Sequence, residues 1–305
     1  GGTGFYGAWL LESLAYVNDR LKLGVEAVVL TRHKKTQSHA AITYHMGDIC
    51  SFDFPEGKFS HVIHAATPTS QKLMQEDPTL LEKAILDGTK HTLEFANAAG
   101  ATNFLFASSG AVYGKQPPEL THITEEFLAP PPGATSRTVY GVAKQNAEGA
   151  CLLAAQKTGL QVKIARGFAF VGPYLPIDAH YAIGNFIRDG LQGGPIQVLG
   201  DGTPLRSYLY AADLAIWLWT ILIRGTSGRA YNVGSDQAVS IAEVANKVSE
   251  YTKTIVQLAS RPRTDVPPDR YVPSTARAEK ELGLKAWVSL EDGIARTIDW
   301  HRGQH

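Results

Sequence analysis

Gly1-Gly2-Thr3-Gly4-Phe5-Tyr6-Gly7 opens the sequence, and an apolar helical pattern (Trp9, Leu10, Leu11, Leu14, Val17) follows at once. A glycine cluster before a helix is what a turn needs if backbone N–H groups are to touch a dinucleotide pyrophosphate. Side chains would block the approach, and the helix N-terminus favours negative charge. The stretch fits two spacings, Gly2-x-Gly4-x-x-Gly7 and Gly1-x-x-Gly4-x-x-Gly7, and glycine clusters also make ordinary turns. Such a dinucleotide turn follows a buried strand. A short apolar strand is therefore expected immediately before Gly1, because a parallel sheet lacking its central strand would leave core backbone groups unpaired.

Outward from that turn, apolar β-rich runs alternate with helical patterns: Val25–Leu30, Ala41–His45, Phe59–Ala65, Asn103–Ala107 and Gln161–Ala165. The rhythm predicts βαβ units, hence a Rossmann-like, doubly wound α/β fold around a parallel sheet. Helices are expected over Thr79–Ala99 and Thr138–Thr158; both are rich in small residues, which permit close packing against their own sheet or a second subunit. After Gly172-Pro173 the rhythm breaks at Pro176, Pro195, Pro204, Pro262, Pro267, Pro268 and Pro273. This half reads as a smaller mixed α/β substrate-binding lobe with helices near Ala211–Ile223, Ser240–Thr252 and Leu290–Trp300. The expected division is 1–170 for the dinucleotide domain and 171–305 for the lobe, with segments near 196–229 returning to the first domain. Lys115–Arg137, with five prolines, reads as a long ordered surface loop, and long loops in compact enzymes are usually functional.

At 305 residues the chain can bury a large core. Lys plus Arg equals Asp plus Glu at 29 each, so no charge excess points to nucleic acid or an anionic membrane. Cys50 and Cys151 stand far apart and suggest neither a disulfide framework nor a zinc knuckle, and a reducing cytoplasm is the expected location. No apolar run approaches about 18 residues, so no membrane span is expected. The ten histidines show no metal spacing and no catalytic metal is expected. His61 and His64 point to opposite faces of a strand, and His33, His39 and His45 are placed in or near a surface loop.

The chemistry is carried by Tyr140-Gly141-Val142-Ala143-Lys144, which sets a phenol and an ammonium four residues apart on one helix face. A cation beside a phenol favours the phenolate, so Tyr140 can act as a base near neutral pH. Tyr-x-x-x-Lys is common by chance, but Ala107-Ser108-Ser109-Gly110-Ala111-Val112-Tyr113-Gly114 ends a predicted strand at the edge where open α/β sheets bind ligands. A serine hydroxyl there can bridge substrate and tyrosine. The order of glycine turn, strand-end serine and Tyr-x-x-x-Lys helix is one that chance seldom produces.

With these stretches, and with Gly47-Asp48-Ile49, His64-Ala65-Ala66-Thr67, Asp87-Gly88-Thr89, Arg166 to Pro173, Gly200-Asp201-Gly202 with Arg206, Tyr210 to Asp213 and Tyr231 to Gly234, the chain resembles the extended short-chain dehydrogenase/reductases, the NAD-dependent epimerase/dehydratase family acting on nucleotide sugars. The resemblance covers nearly the whole chain. It implies that Tyr140 takes a proton from a sugar hydroxyl, usually at C4, as hydride passes to the nicotinamide. Lys144 would lower the tyrosine pKa and hold the nicotinamide ribose, and Ser109 would complete the proton relay. The implied cofactor contacts are Gly1, Thr3, Gly4, Phe5, Tyr6, Gly7, Thr31, Arg32, Asp48, Ile49, Ala65, Ala66, Thr67, Ala107, Tyr140, Lys144 and Phe168. The implied substrate contacts are Ser109, Gly110, Ala169, Asn185, Arg206 and Arg270, the guanidinium of Arg206 matching phosphate oxygens. A nucleotide-diphosphate sugar is the implied substrate and a homodimer through the two small-residue helices the implied assembly.

Departures from the family pattern sharpen the expectation. The sugar 4,6-dehydratases carry an Asp-Glu pair directly after the catalytic Ser/Thr; here Gly110 and Ala111 stand there and cannot transfer protons. That weakens the dehydratase reading and strengthens a 4-epimerase or 4-dehydrogenase; a 4-epimerase is expected, with a 4,6-dehydratase or a keto-sugar reductase/4-dehydrogenase as the alternatives. The family's asparagines are replaced by Ala169 before Gly-Pro and by Ile85 in the Asn-x-x-Gly-Thr motif. The end of the second strand, Val29-Leu30-Thr31-Arg32-His33, lacks the acidic residue that grips the ribose 2′-hydroxyl of NAD, and Arg32 with Lys34 and Lys35 can accept a 2′-phosphate. An epimerase recycles its cofactor, which in this family is usually NAD, so NAD is expected over NADP. A non-catalytic dinucleotide-binding regulator is the reading from another class; such proteins typically lose the active-site tyrosine or lysine, and this chain keeps Ser109, Tyr140 and Lys144.

Overall fold

The computed structural model describes residues 1–67, 77–127, 136–179, 181–262 and 266–303. Two compact units emerge: Gly1–Gly114, Pro130–Gly167 and Ala215–Tyr231 form one, and Lys115–Ala129, Phe168–Leu214 and Asn232–His305 the other.

In the first unit, α1 (Phe5–Leu21) leaves the glycine turn and leads to β1 (Ala27–Thr31) and β2 (Ile42–Met46). These two strands pair in parallel, Ala27 opposite Ile42 and Thr31 opposite Met46. A second parallel ladder joins β3 (His61–His64), β4 (Asn103–Ser109) and β5 (Gln161–Gly167), with β10 (Ala230–Val233) beyond β5. Phe104, Leu105 and Phe106 of β4 are fully buried, the continuous apolar run expected of a strand covered on both faces. His61 is exposed and His64 buried, as strand alternation requires; His45 lies within β2, the run expected as a strand.

Helix α2 (Pro78–Ala98) starts where its sequence dictates: Asp77 accepts a hydrogen bond from the Leu80 N–H at 2.9 Å, and Pro78 occupies the first turn, where its missing N–H costs nothing. It packs against α3 (Ser136–Thr158). Ala96, Ala143, Ala147 and Cys151 are completely buried there, in one cluster with Leu81, Phe104 and Phe106. Small side chains let the helix backbones approach, and burying each large apolar side chain contributes about 2 kcal/mol. Much of the small-residue stripe is thus spent inside the subunit.

The second unit is built from short pieces. β6 (Phe170–Val171) pairs in parallel with β9 (Leu209–Tyr210), and β7 (Ile196–Val198) with β12 (Val256–Leu258). β8 (Leu205–Arg206) lies between β11 (Val239–Ser240) and β13 (Arg270–Tyr271). Helix α4 (Ala182–Leu191) packs on α6 (Ile241–Thr252) and on α8 (Leu290–Arg302). Ser240 caps α6 in a reciprocal bond with Glu243, and Ser289 caps α8. A further helix, α7 (Ala276–Leu282), ends on the left-handed Gly283. Helix α5 (Ala211–Arg224) begins in this unit and ends in the first.

The observed division corrects the expected one. Of the segment 196–229, residues 215–229 belong with the dinucleotide unit, as part of Ala215–Tyr231, and Lys115–Ala129 belongs with the second. Where it is described, the segment after Lys115 is irregular and mostly exposed, but it is pinned inward at Gln116 and Ile123. Ile123 is 1% exposed; its N–H donates to the Val272 carbonyl, and its own carbonyl receives the Ser274 N–H. The Asn232 side-chain amide donates to the Ile123 and Ser274 carbonyls at 2.9 and 3.2 Å. Residues 128–135 lie outside the described residues.

Candidate active site

The glycine turn sits between the ends of two strands because its glycines have no side chains. A Cβ on Gly1 would lie 2.1 Å from the Ala65 carbonyl oxygen after β3, and one on Gly2 would lie 2.2 Å from a Val29 methyl of β1. A Cβ on Gly7 would lie 2.3 Å from the Gly2 backbone, whereas one on Gly4 would meet only the Gly1 oxygen at an ordinary 3.4 Å. Gly4 is the N-cap of α1 and supplies no side-chain cap, and no acidic residue occupies the first turn formed by Phe5, Tyr6 and Gly7. A helix N-terminus of this kind, without an acidic side chain in its first turn, suits an anion.

The other residues expected at the cofactor follow the same strand ends. Thr31 closes β1, its hydroxyl donating to the His33 carbonyl at 2.9 Å, and Arg32 after it is exposed. Asp48 turns the chain after β2 by accepting the Cys50 N–H at 2.9 Å, and Ile49 rests against Gly88 of α2, where a Cβ would come within 3.1 Å. Ala65, Ala66 and Thr67 follow β3.

Lys144 draws several of these together. It is 1% exposed; its ammonium donates to the Thr67 hydroxyl at 2.7 Å and to the Ala107 carbonyl at 2.8 Å, and lies 4.7 Å from the centre of the Phe106 ring. Burial pulls its pKa down from an ordinary 10.5 to about 7, with the Glu148 carboxylate opposing the fall. Two of three ammonium donors are thus committed to groups expected at the cofactor.

Tyr140 stands one turn before Lys144 on α3, half-buried. Its helix is pressed onto the turn Gly110–Tyr113 that follows β4, because Gly141 has no side chain: a Cβ there would lie 2.3 Å from the Ala111 carbonyl oxygen. Gln145 adds a bond to the Val112 carbonyl at 2.6 Å. Ser109, the last residue of β4, accepts the Ala111 N–H at 3.2 Å, which leaves its own hydrogen for donation. Ser109, Gly110, Tyr140 and Lys144 thus belong to one strand end, one turn and one helix face of the first unit.

Apart from Ser109 and Gly110, the expected substrate residues belong to the second unit. The Ala169 carbonyl receives the Leu209 N–H; Phe168, expected at the cofactor, also lies in this unit and packs on Tyr271 with ring centres 4.6 Å apart. Asn185 on α4 accepts from Arg188 at 3.2 Å. Arg206 and Arg270 lie on the paired strands β8 and β13. Arg206 is held by Asp269 at 2.9 Å, a partner that the sequence reading did not assign. That reading also missed Gln145 and assigned no role to Glu148, which binds Ser108 and Arg166. A lone carboxylate one turn after Lys144 on an alanine-rich helix was the available signal. Among the described residues, no group of three or more His, Cys, Asp or Glu is arranged to hold a metal ion, and no helix is long and apolar enough to cross a membrane.

A glycine turn opening a helix between parallel strands, with a strand-end serine and a buried lysine one turn from a tyrosine, defines an extended short-chain dehydrogenase/reductase. The profile of the NAD dependent epimerase/dehydratase family matches residues 1–234, and the chain belongs to that family. It is 28% identical over 305 residues to UDP-glucuronic acid decarboxylase 1 of Xenopus tropicalis, covering 99% of this chain and 71% of that protein. Its fold is similar to that of UDP-glucose 4-epimerase with UDP-glucose from Thermotoga maritima (TM-score 0.83, 21% identity, 100% of this chain and 97% of the other). It is also similar to MoeE5 in complex with UDP-glucose and NAD (TM-score 0.83, 26% identity, 100% and 97%).

Proposed function

We propose that the protein is an NAD-dependent UDP-sugar 4-epimerase in which Tyr140 moves the C4 hydroxyl proton. The observation that carries this reading is the arrangement around Lys144: a buried ammonium anchored to Thr67 and Ala107, one helical turn from Tyr140, beside a strand end that offers Ser109 and no further acid or base at Gly110 or Ala111. The uncapped N-terminus of α1 and the glycines packed against Ala65 and Val29 fit a dinucleotide diphosphate. NAD, when bound, supplies the hydride acceptor and then the hydride donor at C4. Tyr140 as phenolate accepts the hydroxyl proton and later returns it, and the Lys144 ammonium stabilises that phenolate. Ser109 orients the hydroxyl by hydrogen bonding. Asn185, Arg206 and Arg270 are assigned to the sugar diphosphate, and two copies are expected to associate through α2 and α3, which expose Leu80 and Leu153.

A second reading, UDP-uronic acid decarboxylase, is favoured by the relatives rather than by the site. Oxidation at C4 makes a C5 carboxylate a β-keto acid, which loses carbon dioxide with the C4 carbonyl as electron sink. The absent acid and base at Gly110 and Ala111 therefore weaken this reading less than they weaken dehydration. Incubating the protein and NAD with UDP-glucose, UDP-N-acetylglucosamine and UDP-glucuronate, followed by mass spectrometry and NMR of the sugar, separates the outcomes. A stereoisomer of unchanged mass supports the epimerase; loss of carbon dioxide moves the assignment to decarboxylase, and loss of water refutes both.

A further inference from the structure

Glu148 follows Lys144 by one turn of α3, and its carboxylate is almost wholly removed from water. Three donors hold it: the Ser108 hydroxyl at 2.5 Å and Arg166 Nε at 3.0 Å on Oε1, and Arg166 Nη2 at 2.7 Å on Oε2. Arg166 also donates through Nη1 to the Tyr113 hydroxyl at 2.9 Å, with its guanidinium 4.9 Å from that ring's centre. These residues come from α3, the end of β4, the turn after it and β5, the four elements that meet around Ser109, Tyr140 and Lys144. A buried ion pair is a poor way to gain stability, since its desolvation cost can exceed its attraction. Its place in the first unit therefore asks for another purpose.

We propose that Glu148, backed by Arg166, is a positioning residue that keeps Lys144 a cation and holds the strand-end serine pair in register with the catalytic helix. The proposal rests on the reading of Tyr140 and Lys144 as the proton-handling pair. The titratable groups around Lys144 leave Glu148 as the anion that serves it, among the described residues. On α3, the buried Cys151 thiol is pushed up and stays protonated, and Tyr140 faces the reaction. On β3, His64 is neutral: Thr89 spends its hydroxyl hydrogen on the Ile85 carbonyl at 2.7 Å, so it accepts from His64 Nε2 at 3.0 Å. Burial and Lys144 itself depress the histidine further. On β5, Arg166 is a second cation, whose charge Glu148 must also offset. Tyr113 is tied to Arg166.

The test replaces the charge and the reach separately. E148Q keeps an oxygen for Ser108 but loses the anion, whereas E148D keeps the anion with a shorter arm. The titration of Lys144 is followed by NMR of the lysine ¹³Cε in cofactor-free protein, the signal being assigned by its absence in Lys144→Met. In E148Q the Lys144 midpoint should fall by about one pH unit or more, and the basic limb of kcat against pH should move down with it, costing about fivefold or more in kcat at the wild-type midpoint. In E148D the midpoint should stay near wild type while kcat falls at every pH. If E148Q does not fold, the E148Q/R166Q pair, which leaves no uncompensated charge, takes its place; its kcat should then fall at every pH, as the side chain at 148 that accepts from Ser108 loses the guanidinium that fixes it. An unmoved Lys144 midpoint and basic limb in folded E148Q, or unchanged kcat in the pair, overturns the proposal. Retained turnover in Lys144→Met would instead overturn the catalytic reading, whatever Glu148 does.

Discussion

Replacing Gly141 by alanine adds one methyl group at the point where the catalytic helix meets the turn after β4. The new Cβ would stand 2.3 Å from the Ala111 carbonyl oxygen and 3.1 Å from its carbon, against an ordinary contact of 3.4 Å or more. The obstacle is backbone, so no side chain can swing aside, and helix and turn must separate by about 1 Å. Two energies then compete. Alanine is about 1 kcal/mol better than glycine inside a helix, and overpacking costs about 1–3 kcal/mol, so the net loss of stability is small, about 0–2 kcal/mol. The effect on rate is large, because Tyr140 is the adjacent residue and a displacement of about 1 Å in a catalytic group costs on the order of 100-fold. Steady-state kcat on the accepted UDP-sugar, with a thermal melt alongside, measures both. A folded Gly141→Ala protein with wild-type kcat would refute the claim that this contact sets the position of Tyr140.

Tyr140→Phe should lower kcat by about 10²–10⁴ with the melting temperature little changed, as expected for the loss of a general base. Lys144→Met should abolish turnover yet flatten the pH dependence of stability. The folded pKa of about 7 lies below the ordinary 10.5, so the unfolded chain binds the extra proton between those values and wild-type stability rises with pH through that window. The variant's advantage in urea titrations should be greatest at pH 7, at most roughly 5 kcal/mol, and should vanish towards pH 10.5; an advantage constant with pH would contradict the assigned shift. Gly7→Ala should weaken dinucleotide binding by about tenfold or more, measured by calorimetry, because its Cβ collides with the Gly2 backbone. Asn232→Leu should cost about 2–4 kcal/mol in denaturant melts by leaving the Ile123 and Ser274 carbonyls without donors, and a loss below about 1 kcal/mol would show that those bonds are not needed.

The first five strands were legible because each is a short apolar run between turn residues, and the observed boundaries differ by no more than two residues. The strand-end serine and the Tyr-x-x-x-Lys helix were legible as local patterns. What joins them was not: in sequence, Gly141 is only a weakness within a helix, and the Ala111 carbonyl it makes room for is thirty residues away. Likewise Glu148 and Arg166 lie on different elements, and nothing local marks them as a pair. Helices α4 and α7 escaped notice because one carries Gly184 and Gly190 and the other spans only seven residues. The prolines after Lys115 correctly announced irregular, mostly exposed backbone, but nothing local marked Ile123 as the residue that turns inward and is buried.

The chain passes between its two units after Gly114, Ala129, Gly167, Leu214 and Tyr231, once within helix α5 and once within strand β10. Neither unit is therefore a cassette. No single cut yields either one whole, and grafting the second unit of a relative onto this chain would need several simultaneous splices, two of them through regular secondary structure. New sugar specificity in such a framework is more easily reached by point substitution in place than by recombination.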